Sequence, residues 1–424
     1  MFAAERAGQS VVRARGAAGS RGLYGSTGDT GHDEPEVDVK GRSRTARARL
    51  PIVGTALLAI AAMVATVAAG CGGGAGAAPK ITTTARAGVA PVPPKEGAYF
   101  GAWVPPDGEG KPSASKPGSA SASPSESPPE SPSPSGSASG SASPAPKPTG
   151  KDAGKPGMAP VVGFEQALGR QLDIVQTYRS WTAEFPAGLE KSVTEGNRYL
   201  LLTWGGADTK KIVQGEYDEL VQRRARAVKA LGKPVFLRWS PDMDKASNKR
   251  RVHDPAAFVA AWKHLRTVFE QERVDNVAWV WCPTARGFGG GDAPAYYPGD
   301  DQVDWVCADA QPGTDYEYRD LSEAVKMFLQ WSRDREKPIM IAEFGVPKSY
   351  GERRAEWLRE AAKTLQDPQV KAVVYFNSDE QAANARDKRR AYSVTGDKHT
   401  VSALRELATT PYFNPRNLPV TSGD

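Results

Sequence analysis

Short apolar runs, rich in Val, Ile and aromatic residues, alternate along residues 97–408 with longer stretches whose apolar positions return every three or four residues. Continuous apolar runs bounded by Gly, Pro or Asp read as buried strands, and the three-to-four spacing reads as helix. The strand candidates are GAYFGAW (97–103), LDIVQTYRSW (172–181), RYLLLTWGG (198–206), PVFLRW (234–239), VAWVWCP (277–283), VDWVCADA (303–310), PIMIAEFG (338–345) and VKAVVYFN (370–377). Helices are expected near 164–169, 210–231, 255–272, 320–335, 351–366 and 400–408. Gly232-Lys233-Pro234 stops the second of these, and Asp254-Pro255 starts the third. Buried strands separated by helices make a parallel sheet with helical crossovers, and eight such units close into a barrel. The expected fold class is therefore α/β, a (β/α)8 TIM barrel.

Residues 112–157 interrupt the rhythm after its first strand. They are almost wholly Ser, Pro, Ala, Gly and Lys, and cannot bury enough apolar surface to offset the entropy of ordering. GAYFGAW completes the count of eight strands only if this segment is a disordered insertion inside the barrel. Loop closure becomes only logarithmically harder with length, so a barrel tolerates it. The expected organisation is a disordered leader over 1–49, a hydrophobic segment over 50–71, a flexible tether over 72–95, the barrel over 96–413 and a tail over 414–424.

The hydrophobic segment changes the picture of where the barrel works. RSRTARAR (42–49) precedes LPIVGTALLAIAAMVATVAAG (50–70), which carries no charge. At 1.5 Å per residue this run crosses about 30 Å of hydrocarbon, with its arginine-rich flank in the cytoplasm. It ends in small residues before Cys71, as in a bacterial lipoprotein signal. Lipidation at Cys71 and an uncleaved anchor both place the folded part outside the cytoplasm, at the membrane's outer face.

Charge adds little. The 55 basic and 49 acidic side chains leave a net +6, and no basic stripe is interleaved with aromatics, so nucleic acid is not an expected partner. The basic runs near Arg223, Lys249 and Arg389 read as solvated faces. Three cysteines and four histidines show no metal-ligand spacing, and neither a metal nor a cofactor is expected. Cys282 and Cys307 end neighbouring strands and are either a disulfide or two buried thiols.

Barrel chemistry resides at the C-terminal ends of the strands. There the sequence places Glu343, after five apolar residues, and Asp242, after the Ser240-Pro241 break. Two carboxyls, one protonated and one ionised, are what glycoside hydrolysis requires, and burial with mutual repulsion separates their pKa values. Trp103, Trp181, Trp204, Trp239 and Trp281 close successive strands, and Phe376 closes the last. Flat rings gathered on one rim suit stacking on sugars.

Across residues 96–410 the chain resembles glycoside hydrolase family 26, the β-mannanase family. The resemblance rests on GAYFGAW, FEQALGRQLDIVQTYRSW (164–181), RWSPDMDK (238–245), VAWVWCP, YYPGDDQVDWV (296–306) and IMIAEFG. It implies a retaining mechanism with Glu343 as nucleophile. The family's His-Glu-Met-Asn on strand four stands here as Pro241-Asp242-Met243-Asp244, which makes Asp242 a shortened acid/base and Asp244 its fallback. Asp309 and Gln311 stand where the family has Asp-Gly-Tyr, and are expected to shape the sugar site. Two functions follow. One is a monomeric hydrolase of mannan or another β-linked polysaccharide. The other is a glycan-binding barrel in which the chemistry is weakened or lost.

Overall fold

The computed structural model describes residues 79–106, 151–311, 318–382, 384 and 386–421. The leader, the hydrophobic segment with Cys71, and residues 107–150, which include 112–150 of the expected insertion, lie outside the described residues. Eight parallel strands close a barrel in sequence order: β1 Tyr99–Trp103, β2 Ile174–Arg179, β3 Tyr199–Trp204, β4 Val235–Trp239, β5 Val277–Trp281, β6 Trp305–Asp309, β7 Ile339–Phe344 and β8 Val370–Phe376. β1 pairs with β2 on one side and β8 on the other, so the strand that precedes the insertion is an integral stave. Gly101 makes that seam possible, because a Cβ there would meet Ile174 Cβ at 2.6 Å.

Successive strand side chains point to opposite faces, and the core is accordingly divided in two. One cluster holds Tyr99, Ile174, Leu201, Phe236, Val280, Trp305, Met340 and Val374; it fills the barrel. The other holds the alternate positions, such as Phe100, Leu200, Leu237 and Ile341, together with the helices' apolar faces.

The helices are α1 Ala159–Leu168, α2 Gly188–Glu195, α3 Thr209–Val213, α4 Asp218–Ala230, α5 Lys249–Val252, α6 Pro255–Gln271, α7 Leu321–Arg333, α8 Arg354–Thr364 and α9 Lys398–Thr409. α6 shows how the sequence builds one. Asp254 Oδ1 accepts the Ala257 amide at 2.8 Å, Pro255 opens the first turn, and Phe258, Ala261, Trp262, Leu265, Val268 and Phe269 form its buried stripe. Each fully buried large side chain on that stripe stabilises by about 1.5–3 kcal/mol. The single helix expected over 210–231 is two, divided at Gly215, whose φ is +79°. A left-handed residue of that kind ends a helix.

Three boundaries differ from the sequence reading, each because polar anchors fasten a stretch that composition marks as loose. Residues 79–95 lie against the barrel: the Thr82 amide donates to Glu336 O at 2.6 Å, Tyr99 OH to Val92 O at 3.2 Å, and Arg86 pairs with Asp275 at 2.7 Å. Residues 151–157, assigned above to the insertion, are held through Asp152, which pairs with Arg198 at 2.8 Å. The tail runs back along α1's exit, where the Thr421 amide donates to Gly169 O at 2.6 Å.

Candidate active site

Strand alternation determines which side chains reach the barrel mouth. On β2, Gln176 and Tyr178 share the inward parity of Ile174. On β4, Arg238 shares that of Phe236. On β6, Asp309 shares that of Trp305 and Cys307. Glu343 breaks the rule. Ile341 pairs with Val373, but Phe344 pairs with Tyr375, so β7 carries an extra residue at this point. This bulge gives Glu343 a φ of +51° and turns it inward, where strict alternation would send it outward with Ile341. Bulges beside active sites re-aim side chains in this way, and a non-glycine residue in the left-handed region carries strain of order 1–3 kcal/mol.

Glu343 is buried. Its Oε1 accepts from Tyr178 OH at 2.5 Å, from the Arg238 guanidinium and from Gln176 Nε2 at 3.4 Å. Its Oε2 accepts from Gln311 Nε2 at 3.3 Å. Arg238 is itself fully buried; it also donates to Asp309 Oδ1 at 2.5 Å and to Thr203 Oγ1 at 3.0 Å. One guanidinium thus bridges two carboxylates, using the planar fork that suits arginine to this role.

The carboxyl groups separate in acidity. Burial pushes Glu343 upward, but the charge and hydrogen bond of Arg238 and the Tyr178 hydroxyl outweigh it, leaving Glu343 below its ordinary value. Asp309 is held well above its ordinary value: burial dominates, Arg238 opposes it, and the Glu343 and Asp242 charges reinforce it. Asp242 is also raised, first by burial, against the pull of Lys245 and with the push of Glu343. The site therefore offers an ionised Glu343 among two acids that retain their protons more readily, the asymmetry that acid–base chemistry needs.

Asp242 sits in the turn after β4, with Ser240 at φ +46° and Asp242 at φ +56° on either side of Pro241. Its amide donates to Cys282 O at 3.0 Å, and its Oδ2 pairs with Lys245 Nζ at 2.7 Å. Its Oδ1 is buried with no hydrogen-bond partner. Asp244, the fallback, is occupied otherwise. It accepts the Thr284 amide at 2.9 Å and the Thr284 hydroxyl, tying the β4 turn to the β5 loop. Gly287 accommodates it, since a Cβ there would lie 2.2 Å from Asp244 Oδ2.

Asp242, Asp309, Gln311 and Glu343 line one cleft of about 880 Å³, with Lys245, Arg286, Gln381, Arg390 and Tyr392 around them. Cys282 and Cys307 form a disulfide with Cα atoms 4.4 Å apart. It lies directly beneath: Cys282 Sγ is 3.4 Å from Asp309 Oδ1. Asp309 and the two sulfurs are a cluster of metal-ligand type within 4.8 Å, but sulfurs joined in a disulfide provide no thiolate to a metal.

The tryptophans require a correction. Trp204, Trp239 and Trp281 carry the outward parity of their strands and are fully buried. Trp204 stacks on Trp181 at 4.4 Å, Trp239 on Phe258 at 5.2 Å, and Trp281 tilts against Trp331 at 5.3 Å. These four fill the layer between barrel and helices and face away from the cleft. Trp103 and Phe376 have inward parity. They form a small cluster with Tyr392 at the barrel mouth, and Trp103 meets the Tyr178 ring edge-on at 4.9 Å. Both are buried, and neither lines the cleft. Trp239→Ala is expected to destabilise the fold by about 3–5 kcal/mol and to leave glycan affinity unchanged; denaturant unfolding and calorimetric titration measure the two separately.

Sequence reasoning missed Arg238, Tyr178, Gln176 and Lys245. The first three were legible: counting in twos from the core positions of their own strands puts each inside the barrel. Lys245 had no such signal, because its role depends on the turn after β4.

No protein-family model matches the chain. Among curated proteins, it is 26% identical over 280 residues to endoglucanase H of Acetivibrio thermocellus, a match spanning 61% of this chain and 30% of that protein. It is 26% identical over 226 residues to a β-1,3-xylanase of Vibrio sp., spanning 46% of each. The chain thus spans less than half the length of these relatives. Among solved structures, the catalytic domain of a family 26 endo-β-1,4-mannanase from Bacillus sp. JAMB-750 superposes with a TM-score of 0.50 at 12% identity, covering 74% of this chain and 86% of that one. That likeness is one of fold.

Proposed function

We propose that the chain is a divergent relative of glycoside hydrolase family 26 and that it hydrolyses a β-linked polysaccharide, mannan-type in the first instance, by a retaining two-carboxylate mechanism. The observation that carries this reading is the buried Glu343, held by Tyr178 and Arg238 and facing the same cleft as Asp242. Glu343 attacks the anomeric carbon as the bond to the leaving sugar breaks, and Asp242 gives its proton to the departing oxygen. Asp242 then takes a proton from water, which attacks the glycosyl–Glu343 ester from the vacated side and restores the original configuration. Tyr178 and Arg238 hold the nucleophile in one orientation through both steps. The protein works as a monomer outside the cytoplasm, tethered through the 50–71 segment by a lipid on Cys71 or by the peptide itself. The buried Cys282–Cys307 disulfide fits an oxidising compartment.

Sugar release from mannans and mixed-linkage glucans, with the product anomer followed by NMR, tests this. Retention supports the scheme; inversion removes Glu343 from the nucleophile's role. The ion pair of Lys245 with Asp242 favours the second reading, a barrel that binds glycan with the donor weakened. Turnover separates the two: glycan binding with no release on the whole panel leaves only the binding barrel.

The pH profile gives a further check. Lys245 pulls the Asp242 pKa down, so Lys245→Met removes that pull and lets it rise. The alkaline limb of kcat/KM, set by loss of the donor's proton, is then expected to move to higher pH. The acid limb, set by protonation of Glu343, moves the same way by less. A limb that stays in place assigns the proton to another group.

A further inference from the structure

The cleft is lopsided. Most of its lining comes from the turn after β4, residues 242–247, and from the loop after β5, residues 284–292. Among the described residues, none from the loops after β1, β2 or β3 lines it. At its outer end the loop after β5 presents three glycines, 289–291, and meets the opening turn of α7, where Ala324 lines the cleft. Met327 follows one turn later on the same helix face. It is 45% exposed, and a Cβ at Gly289 would lie 3.9 Å from its Cγ. Bare backbone beside a methionine makes an open, lightly apolar surface along which a chain of sugars can lie.

Across the mouth, over β8, β1 and β2, the space is filled. Tyr178, which bonds Glu343, meets Trp103 edge-on, and Trp103 clusters with Phe376 and Tyr392. Tyr392 lines the cleft but is only 1% exposed, so it closes that end from within the fold. Its segment is fixed at several points. The Tyr392 amide donates to Ser378 O at 3.0 Å, and Ala391 O accepts the Lys348 amide at 2.8 Å. Tyr392 O accepts from Tyr375 OH at 2.9 Å, and the buried Arg354 donates to Ser393 O at 3.0 Å. Arg390, exposed, continues this wall at the rim. Backbone held by several hydrogen bonds around a buried ring opens rarely, so the wall does not swing aside for a passing chain.

The chemistry gives the two sides their meaning. The oxygen that takes the Asp242 proton leaves with the departing sugar, whereas the sugar attacked by Glu343 stays on the protein until water releases it. The departing chain therefore runs out past Asp242, along the loops after β4 and β5. The retained sugar carries the attacked anomeric carbon, so any units attached to it lead towards the non-reducing end, and they meet Tyr392. We propose that this site cuts polysaccharide from its non-reducing end, with room for only a short retained piece before the wall of Tyr392 and Arg390, and with the leaving chain laid along residues 284–292 towards Ala324 and Met327. The proposal rests on the hydrolase reading above.

The test uses β-1,4-manno-oligosaccharides, trimer to hexamer, in three forms: unmodified, capped at the non-reducing end with a benzylidene acetal, and labelled at the reducing end with 2-aminopyridine. Chromatography follows turnover by the wild type, and calorimetric titration of Glu343→Gln reads binding apart from chemistry. The expected product is one short unlabelled oligosaccharide of fixed length, with the label staying in the remainder. The cap is expected to lower kcat/KM and affinity by roughly tenfold or more, the scale of forcing excess volume into a packed site, and the reducing-end label to change neither. Tyr392→Ala and Arg390→Ala are expected to bring capped and uncapped probes towards parity; should Tyr392→Ala fail to fold, the exposed Arg390 decides. Ala324→Trp is expected to remove the affinity gained from added reducing-end units. Cap-sensitive binding with no turnover of any form sustains the blocked end and ends the hydrolase reading. Turnover with internal cuts at random and rapid loss of polymer viscosity, or with the cap tolerated, sustains the hydrolase and overturns the inference. Cap sensitivity unchanged in the wall variants, or a wild-type length dependence in Ala324→Trp, overturns it as well, and binding of none of the probes overturns both readings.

Discussion

Glu343→Gln is expected to lower turnover of any responsive polymer by on the order of 10⁴-fold or more, the scale reached when a covalent nucleophile is removed. The amide has the volume of the carboxylate and keeps an oxygen for Tyr178 and Arg238, so the fold and the glycan site remain. What disappears is the charge that forms the bond to the anomeric carbon. Glu343→Ala adds a diagnostic. With azide present, the small anion attacks through the vacated space, and the product is a glycosyl azide of inverted configuration. Polymer cleavage that survives either substitution would falsify the nucleophile assignment.

Arg238→Met is expected to cause a large loss of stability. The guanidinium is fully buried between Asp309 and Glu343, and Met fills much of its volume without its charge or its donors. Breaking a buried ion pair from one side destabilises by about 3–5 kcal/mol, because the abandoned charge remains. Here two carboxylates are left behind, and they are relieved by taking up protons. The pH dependence follows with a definite sign. In the wild type the Glu343 pKa is depressed, so its contribution is present above the unfolded value and is lost as pH falls through the folded one. In the variant the folded pKa values of both acids lie above their unfolded ones. Their contribution is then present below the unfolded value and is lost as pH rises through the folded one. The deficit of Arg238→Met is therefore expected to be smaller near about pH 4, close to the unfolded carboxyl pKa values, than at neutrality. Denaturant unfolding across that range measures it, and a deficit independent of pH removes the two carboxylates from the explanation.

The tryptophans show how a correct element can carry an incorrect role. Each lies on or at the end of the strand assigned to it, but the two faces of a strand differ by a single residue. Trp239 follows Arg238 directly. One enters the helix layer against Phe258, and the other enters the site. A count of apolar residues at strand ends loses this parity, whereas counting in twos along β4 retains it.

The apolar rhythm by itself determined eight staves, their order and the insertion after the first, because burying continuous hydrophobic runs on both faces leaves a parallel barrel as the arrangement that satisfies them. It also placed Glu343 and Asp242 at the C-terminal ends of their strands, at the active end. What only the tertiary structure decided is the orientation of Glu343, since regular alternation sends it outward and one extra residue in β7 turns it in. The pairing of Cys282 with Cys307, the capture of Asp242 by Lys245 and the anchoring of residues 79–95 were decided there too. The physical reason is the same throughout. Burial patterns are periodic and written locally, whereas a bulge, an ion pair or a disulfide depends on partners that the fold brings together from distant parts of the chain.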